Sequence, residues 1–268
     1  MQVSFLGSLR VTGQDGLTQV CAPQQRTILV SLAVQAGGVV STDMLAEAIW
    51  GSSTLPSSWR DTLRNLVRRL RATLGADSSR IVTSFPGYFL NVRSDDIDML
   101  AFEAMHKSGL IAARNGDWLL AADTLTAAAA LWRGPPFTDV PSALLRDTHL
   151  PYLEDQLVEV QVTRIEAALR LATGGSGGVV PGLRQMVAQY PAHERFRWLL
   201  MLALIRSGRK ADALAAYRSA WDFSVSELGV EPGQALKDLN MRILADDESL
   251  AHELPAHDTP TLASRYAT

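Results

Sequence analysis

Between Ser57 and Leu74 stand five arginines, Arg60, Arg64, Arg68, Arg69 and Arg71, against one acid, Asp61. The guanidinium is a rigid planar fork that pairs bidentately with guanine edges or with phosphate, so such a row has the chemistry of nucleic-acid contact. A block of like charge is more often an ordinary solvated face, and by count alone that reading leads. Spacing adds information. At about 100° per residue, Arg64, Arg68 and Arg71 fall within about 80° of Arg60, with Asp61, Thr62, Asn65 and Arg69 continuing the polar arc. Trp59, Leu63, Leu66, Val67, Leu70 and Leu74 gather in roughly one quarter of the same helix. A broad, lysine-free basic face opposite an apolar stripe is what a helix needs to lie in a major groove while its back is held by a core.

The other groups capable of chemistry do not assemble. Gly174–Gly175–Ser176–Gly177–Gly178 satisfies the G-x-S-x-G pattern of a nucleophile elbow, but that device needs a strand before it, and here a long helical segment precedes. A flexible connector is the better reading. Asp95, Asp96 and Asp98 read as a solvated linker with Asp98 as a helix cap, not as a metal site or phosphoacceptor. His106, His149, His193, His252 and His257 lack metal-ligand spacing. Cys21, the one cysteine, excludes an intramolecular disulfide framework, fits a reducing cytosol and reads as a small apolar residue. There is no G-x-x-x-x-G-K-[ST] run. The expectation is no enzyme: no catalytic residues, no metal and no cofactor.

The elements that must position the arginines follow from pattern. The chain of 268 residues predicts two domains, and its net charge of −3 conceals an asymmetry. Residues 1–100 carry nine Arg against eight acids, whereas the rest carries 16 basic against 20 acidic residues. No apolar run approaches bilayer-spanning length, and Met1 to Arg10 reads as strand rather than signal peptide, so a cytoplasmic protein without membrane contact is expected. Val3 to Val20 predicts a small antiparallel sheet, Gln24 to Gln35 a helix stopped by Gly37–Gly38, and Ser41 or Thr42 the cap of a second helix ending at Trp50–Gly51. The loop Ser52 to Ser58 leads into the arginine helix. Arg80 to Ser84, a Pro86–Gly87 turn and Tyr88 to Val92 then form a hairpin. Sheet, helix, helix, loop, helix, hairpin is a winged helix-turn-helix.

From Asp98 the chain reads as almost entirely helical. Gly116 is followed at +5, +9 and +12 by Ala121, Leu125 and Ala128, and Gly208 by Ala213, Tyr217 and Ala220. Small residues at these offsets let paired helices approach, as in tetratricopeptide-like repeats; the alternative is two alanine-rich helices that match by chance. The fold class expected is mainly α: an α+β winged helix-turn-helix at 1–94, an all-α tetratricopeptide-like domain at 98–247, and a disordered tail at 248–268.

Several runs carry a resemblance. Leu45–Ala46–Glu47–Ala48–Ile49–Trp50–Gly51, Leu66–Val67–Arg68–Arg69–Leu70–Arg71, Gly87–Tyr88–Phe89–Leu90–Asn91–Val92, Leu131–Trp132–Arg133–Gly134–Pro135 and Glu227–Leu228–Gly229–Val230–Glu231–Pro232–Gly233 resemble, in order and spacing, the small members of the Streptomyces antibiotic regulatory protein (SARP) family. Residues before the third helix, Ser58–Trp59–Arg60–Asp61–Thr62, depart from the family's usual asparagine-bearing start, which bears on the operator sequence.

The resemblance implies an OmpR-type DNA-binding domain followed by a bacterial transcriptional activation domain. The function it implies is a transcriptional activator of a secondary-metabolite (antibiotic) gene cluster that self-associates on direct repeats of promoter DNA. The class opposed to it is a helical-repeat scaffold or ligand-sensing module without specific DNA binding. Expected DNA contacts are Arg60, Thr62, Arg64, Asn65, Arg68, Arg69 and Arg71 on the helix, Arg80 and Tyr88 on the wing, and the helix start at Ser41 and Thr42. By itself the loop containing Ser53, Thr54, Leu55 and Pro56 reads equally as a passive connector and as a functional loop. Resemblance to OmpR-type domains implies contact with RNA polymerase near the −35 element, through the sigma and alpha subunits.

Overall fold

The structure, a computed structural model, describes residues 1–14, 16–51, 55–172 and 176–251. Strands β1 (Gln2–Ser4), β2 (Arg10–Gly13) and β3 (Gly16–Thr18) form an antiparallel sheet in that order. Helix α1 (Pro23–Val34), strand β4 (Val40–Ser41), helices α2 (Thr42–Trp50) and α3 (Trp59–Leu74), and strands β5 (Ile81–Ser84) and β6 (Gly87–Leu90) follow. The second sheet has the order β4-β6-β5, so the hairpin is fastened to the chain that enters α2. Among the described residues seven α-helices come next: α4 (Asp98–Arg114), α5 (Trp118–Ala130), α6 (Ala143–Leu171), α7 (Val180–Gln189), α8 (Glu194–Arg206), α9 (Lys210–Leu228) and α10 (Gln234–Leu244). No helix among the described residues is long and apolar enough to cross a membrane.

Local chemistry explains the ends of the arginine helix and its partner. Ser41 Oγ accepts the Met44 amide at 3.1 Å and caps α2, which stops at Gly51. Around α1, Ile28 to Ala33 are buried without a break, so this helix is central; its buried Thr27 and Ser31 donate to the carbonyls of Pro23 and Thr27. Leu63, Leu66, Val67, Leu70 and Leu74 of α3 join the core formed with α1, Leu45, Ile81 and Leu90. That is the apolar stripe expected from spacing.

The chain divides by packing into two compact units. The first holds Met1–Ser108 and Thr124–Val160, the second Gly109–Asp123 and the described residues from Gln161 onward. The packing boundary does not follow the expected domain boundary at residues 94–98, and the physical reason is specific. Asp98 does not cap α4 with its side chain. Its carboxylate accepts the amides of Phe5 and Leu6, each at 2.9 Å, and pairs with Arg133 at 3.3 Å. Burial raises the Asp98 pKa, against the lowering effect of those amides and of Arg133. Phe5 packs on Phe137 with ring centres 5.6 Å apart, and Arg26 pairs with Asp139 at 3.3 Å. The first sheet therefore finishes its core with residues beyond 96.

In the second unit, α8 is buried from Phe196 to Ala203 and is flanked by α7, α9 and α10. Its run from Trp198 to Ile205 is wholly apolar and must be surrounded. The two glycine echoes lie at equivalent turns: Gly116 and Gly208 both have positive φ, near +79° and +72°. Each turn closes with the same pair of bonds, Asp117 N to Ala112 O with Gly116 N to Ala113 O, and Arg209 N to Leu204 O with Gly208 N to Ile205 O. Ala121, Leu125, Ala128, Ala213 and Ala220 are fully buried, as close helix approach requires.

Residues 248–251, expected as the start of a disordered tail, are ordered. Glu248–Ala251 is a 3-10 turn with Leu250 buried, because Asp247 accepts the Ser249 hydroxyl and amide and is held by Arg242 at 2.8 Å. These bonds, led by the Ser249 hydroxyl, hold the Asp247 carboxyl at about 2. Residues 252–268, with His252 and His257, lie outside the described residues, as do Gly174 and Gly175 of the apparent nucleophile elbow. Ser176–Val179 is a 3-10 turn between α6 and α7, so helices flank the segment.

Candidate nucleic-acid interface

Helix α3 presents Arg60, Arg64, Asn65, Arg68 and Arg69 to solvent, opposite its buried stripe. They differ in what holds them. Arg60 lies over the Trp59 ring at 4.4 Å and reaches Asp43 of α2 at 3.8 Å, a loose pair between two exposed groups. Arg64 donates to Asp61 Oδ1 at 3.1 Å, one turn back. Arg68 and Arg69 have no ion pair among the described residues. An exposed pair is worth about 0–1 kcal/mol, so a phosphate or guanine displaces Asp43 or Asp61 at small cost. The Thr62 hydroxyl donates to Ser58 O at 3.1 Å from a half-buried position and retains acceptor capacity.

Arg71 belongs to a different class. Its guanidinium donates to Ile81 O at 3.0 and 2.7 Å and to Thr83 Oγ1 at 2.9 Å. The side chain laces α3 to the wing and faces the hairpin rather than open solvent, because the 3-10 segment Gly75–Arg80 turns the chain back so that β5 follows directly from Ile81. Tyr88 requires a correction too. It is 7% exposed in the core beneath Arg71, since its strand β6 runs in the middle of the sheet, and it is not a surface residue of the wing. Arg80 stands half-exposed, 3.8 Å from buried Asp77.

At the start of α2, the Thr42 amide donates to Pro86 O at 3.2 Å and the Met44 amide to Ser41 Oγ, so two of the amides expected to meet phosphate already have acceptors. Of the loop before α3, Leu55 and Pro56 are exposed, and the Pro56 carbonyl accepts the Trp59 amide at 3.0 Å. Ser53 and Thr54 lie outside the described residues.

Sequence reasoning missed Phe85 at the turn of the wing, which is 98% exposed. The signal was present in an apolar residue placed immediately before the Pro86–Gly87 turn. Away from the interface, Cys21, read from sequence as a small apolar residue, is exposed. His106 meets Glu159 at 2.8 Å, and no three His, Cys, Asp or Glu side chains converge to hold a metal among the described residues.

Comparison with known proteins adds the lineage of this arrangement. Residues 97–244 match the bacterial transcriptional activator domain family, and residues 18–90 match the family described as transcriptional regulatory protein, C terminal. The chain is 32% identical over 98% of its length to regulatory protein DnrI of Streptomyces peucetius, of which it also covers 98%. It is 32% identical to regulatory protein AfsR of Streptomyces griseus over 94% of this chain, spanning 25% of that longer protein. Among solved structures, Mycobacterium tuberculosis EmbR in complex with a low affinity phosphopeptide superposes with a TM-score of 0.84 at 28% identity, covering 94% of this chain and 68% of that one.

Proposed function

The chain belongs to the Streptomyces antibiotic regulatory protein family of transcriptional regulators, and on that premise we propose how this member engages a promoter. It is a DNA-binding transcriptional activator. The observation that carries the finer reading is the division of labour on α3: five core side chains fix the helix, Arg71 fixes it to the wing, and Arg60, Arg64, Arg68 and Arg69 remain outward with weak partners or none. The helix lies in the major groove with Arg68 and Arg69 contacting guanine or phosphate first, and with Arg60, Thr62, Arg64 and Asn65 completing the surface. Arg80 and Ser41 face the sugar-phosphate backbone.

Two or more protomers lie side by side on direct repeats about one helical turn apart, an arrangement in which the two touching surfaces differ. Leu55 and Pro56, exposed between α2 and α3, meet RNA polymerase near the −35 element through its sigma and alpha subunits. The genes controlled form a secondary-metabolite cluster. The test is retardation of duplexes enriched from a random pool by the full chain. Direct repeats should emerge, binding should weaken steeply with salt, and in vitro transcription from such a site should rise. A helical scaffold without specific DNA affinity would enrich nothing. Leu55→Ala should leave retardation unchanged and reduce transcription.

A further inference from the structure

We propose that Phe85 is an apolar wedge that enters the minor groove beside the major groove occupied by α3 and bends the duplex there; this rests on the DNA-binding reading above. A single exposed apolar residue is ordinary on a protein surface. Phe85 is not ordinary in three respects. It is the most exposed large hydrophobic residue described, at 98% against 66% for Leu17, the next. It sits on a clamped turn rather than a free loop: the Pro86 carbonyl accepts the Thr42 amide, Ser41 pairs with Gly87 across the sheet, and a Cβ on Gly87 would fall 1.9 Å from the Val40 carbonyl. Its hairpin is also tied to the arginine helix, through Arg71 to Ile81 O and Thr83 Oγ1, so a helix seated in one groove carries the tip toward the next.

The chemistry of the tip narrows the role. Thr83, Ser84, Phe85 and Pro86 carry no charge, so the turn itself offers no cation for a phosphate. Apolar side chains that part a base step do so from the minor groove, tilting the helix toward the major groove. A rigid turn suits that task because little freedom is lost when the ring is inserted.

The test uses the full chain on an operator selected as above, with fluorophores at the two DNA ends reporting the bend. Phe85→Ala should weaken binding about tenfold and straighten the DNA, on a single half-site as well as on the direct repeat. Phe85→Leu, which keeps an apolar wedge, should stay within about threefold of the parent. The dependence of affinity on salt should not change, since no phosphate contact is removed. Thermal melting of Phe85→Ala should match the parent, as expected for so exposed a side chain. Unchanged affinity, loss of affinity with an unchanged bend, or a loss confined to two-site fragments, which would place Phe85 against a neighbouring protomer, each overturns the wedge. If the parent chain binds no duplex at all, the DNA-binding reading falls, and the wedge with it.

Discussion

Arginine is used in two opposite ways in this molecule. On α3, Arg60, Arg64, Arg68 and Arg69 stand in solvent, paired loosely or, among the described residues, not at all. In the second unit, Arg170 lies 3.8 Å over the Trp118 ring and Arg195 4.6 Å over Trp198. Arg197 donates to Pro191 O at 2.9 Å, Arg206 to Leu169 O at 2.7 Å, and Arg195 to Glu166 at 2.6 and 2.8 Å. Glu166 is 3% exposed in its side chain, and burial lowers the pKa of Arg164, Arg170 and Arg197. One set is free to meet a partner, and the other is consumed in holding helices together. Arg71 shows that position on the chain does not decide membership: it stands in the basic block by sequence and in the structural class by its bonds.

The largest expected effect separates the two sets by truncation. A chain ending at residue 160 keeps α3 and all of the first unit while losing Glu166 and its arginines, and it should remain folded and bind duplex DNA. A chain ending at 96 lacks Asp98, Phe102 and Phe137, leaves the amides of Phe5 and Leu6 without their acceptor, and should show no cooperative melting transition. A well-folded 1–96 fragment would show that Asp98 and Phe137 are not needed to complete the first core.

Within the second unit, Glu166→Ala removes the buried carboxylate that Arg195 and Arg170 pair with and should cost about 3 kcal/mol by denaturant titration, with no change in the sites selected from random DNA. Arg68→Ala should do the reverse. Its melting temperature should hold while about 1–3 kcal/mol of base discrimination is lost if the contact is to guanine, or the salt slope falls by about one if it is to phosphate. Should Arg68→Ala destabilise the fold and spare DNA binding, the comparison is broken at its centre. Arg71→Ala sharpens it: a loss of about 1 kcal/mol of stability from the wing bonds, with the salt slope intact, is expected from urea melts and retardation in parallel.

A smaller effect comes from pH. Burial lowers the pKa of His149 in the first unit and of His193 in the second. A base depressed in the folded state binds protons more readily when unfolded, so stability rises with pH across that window. It should be complete above the ordinary value of 6.5 and diminish as pH falls through the lowered values. Melting curves at pH 7.5 and below 6 should show the decline, and His193→Gln should reduce it.

Much of this architecture is legible in the amino-acid sequence because it is local and periodic. The apolar stripe from Leu63 to Leu74, the cap at Ser41, the turn before Gly87 and the matched glycines 116 and 208 are each written within a few residues, and helix and strand periods translate directly into faces. The arginine face opposite the stripe follows from the same arithmetic. What periodicity cannot carry is which partner a side chain finds across the fold. Asp98 reads as a helix cap and instead closes the first sheet from 92 and 93 residues away. Tyr88 reads as wing surface and is buried by the central place of β6; Arg71 reads as a DNA contact and is spent on β5. Burial, hydrogen-bond competition and the sheet order β4-β6-β5 are properties of three-dimensional contact, so only the tertiary structure decided which arginines remain free and which aromatic residue, Phe85, is held out to solvent.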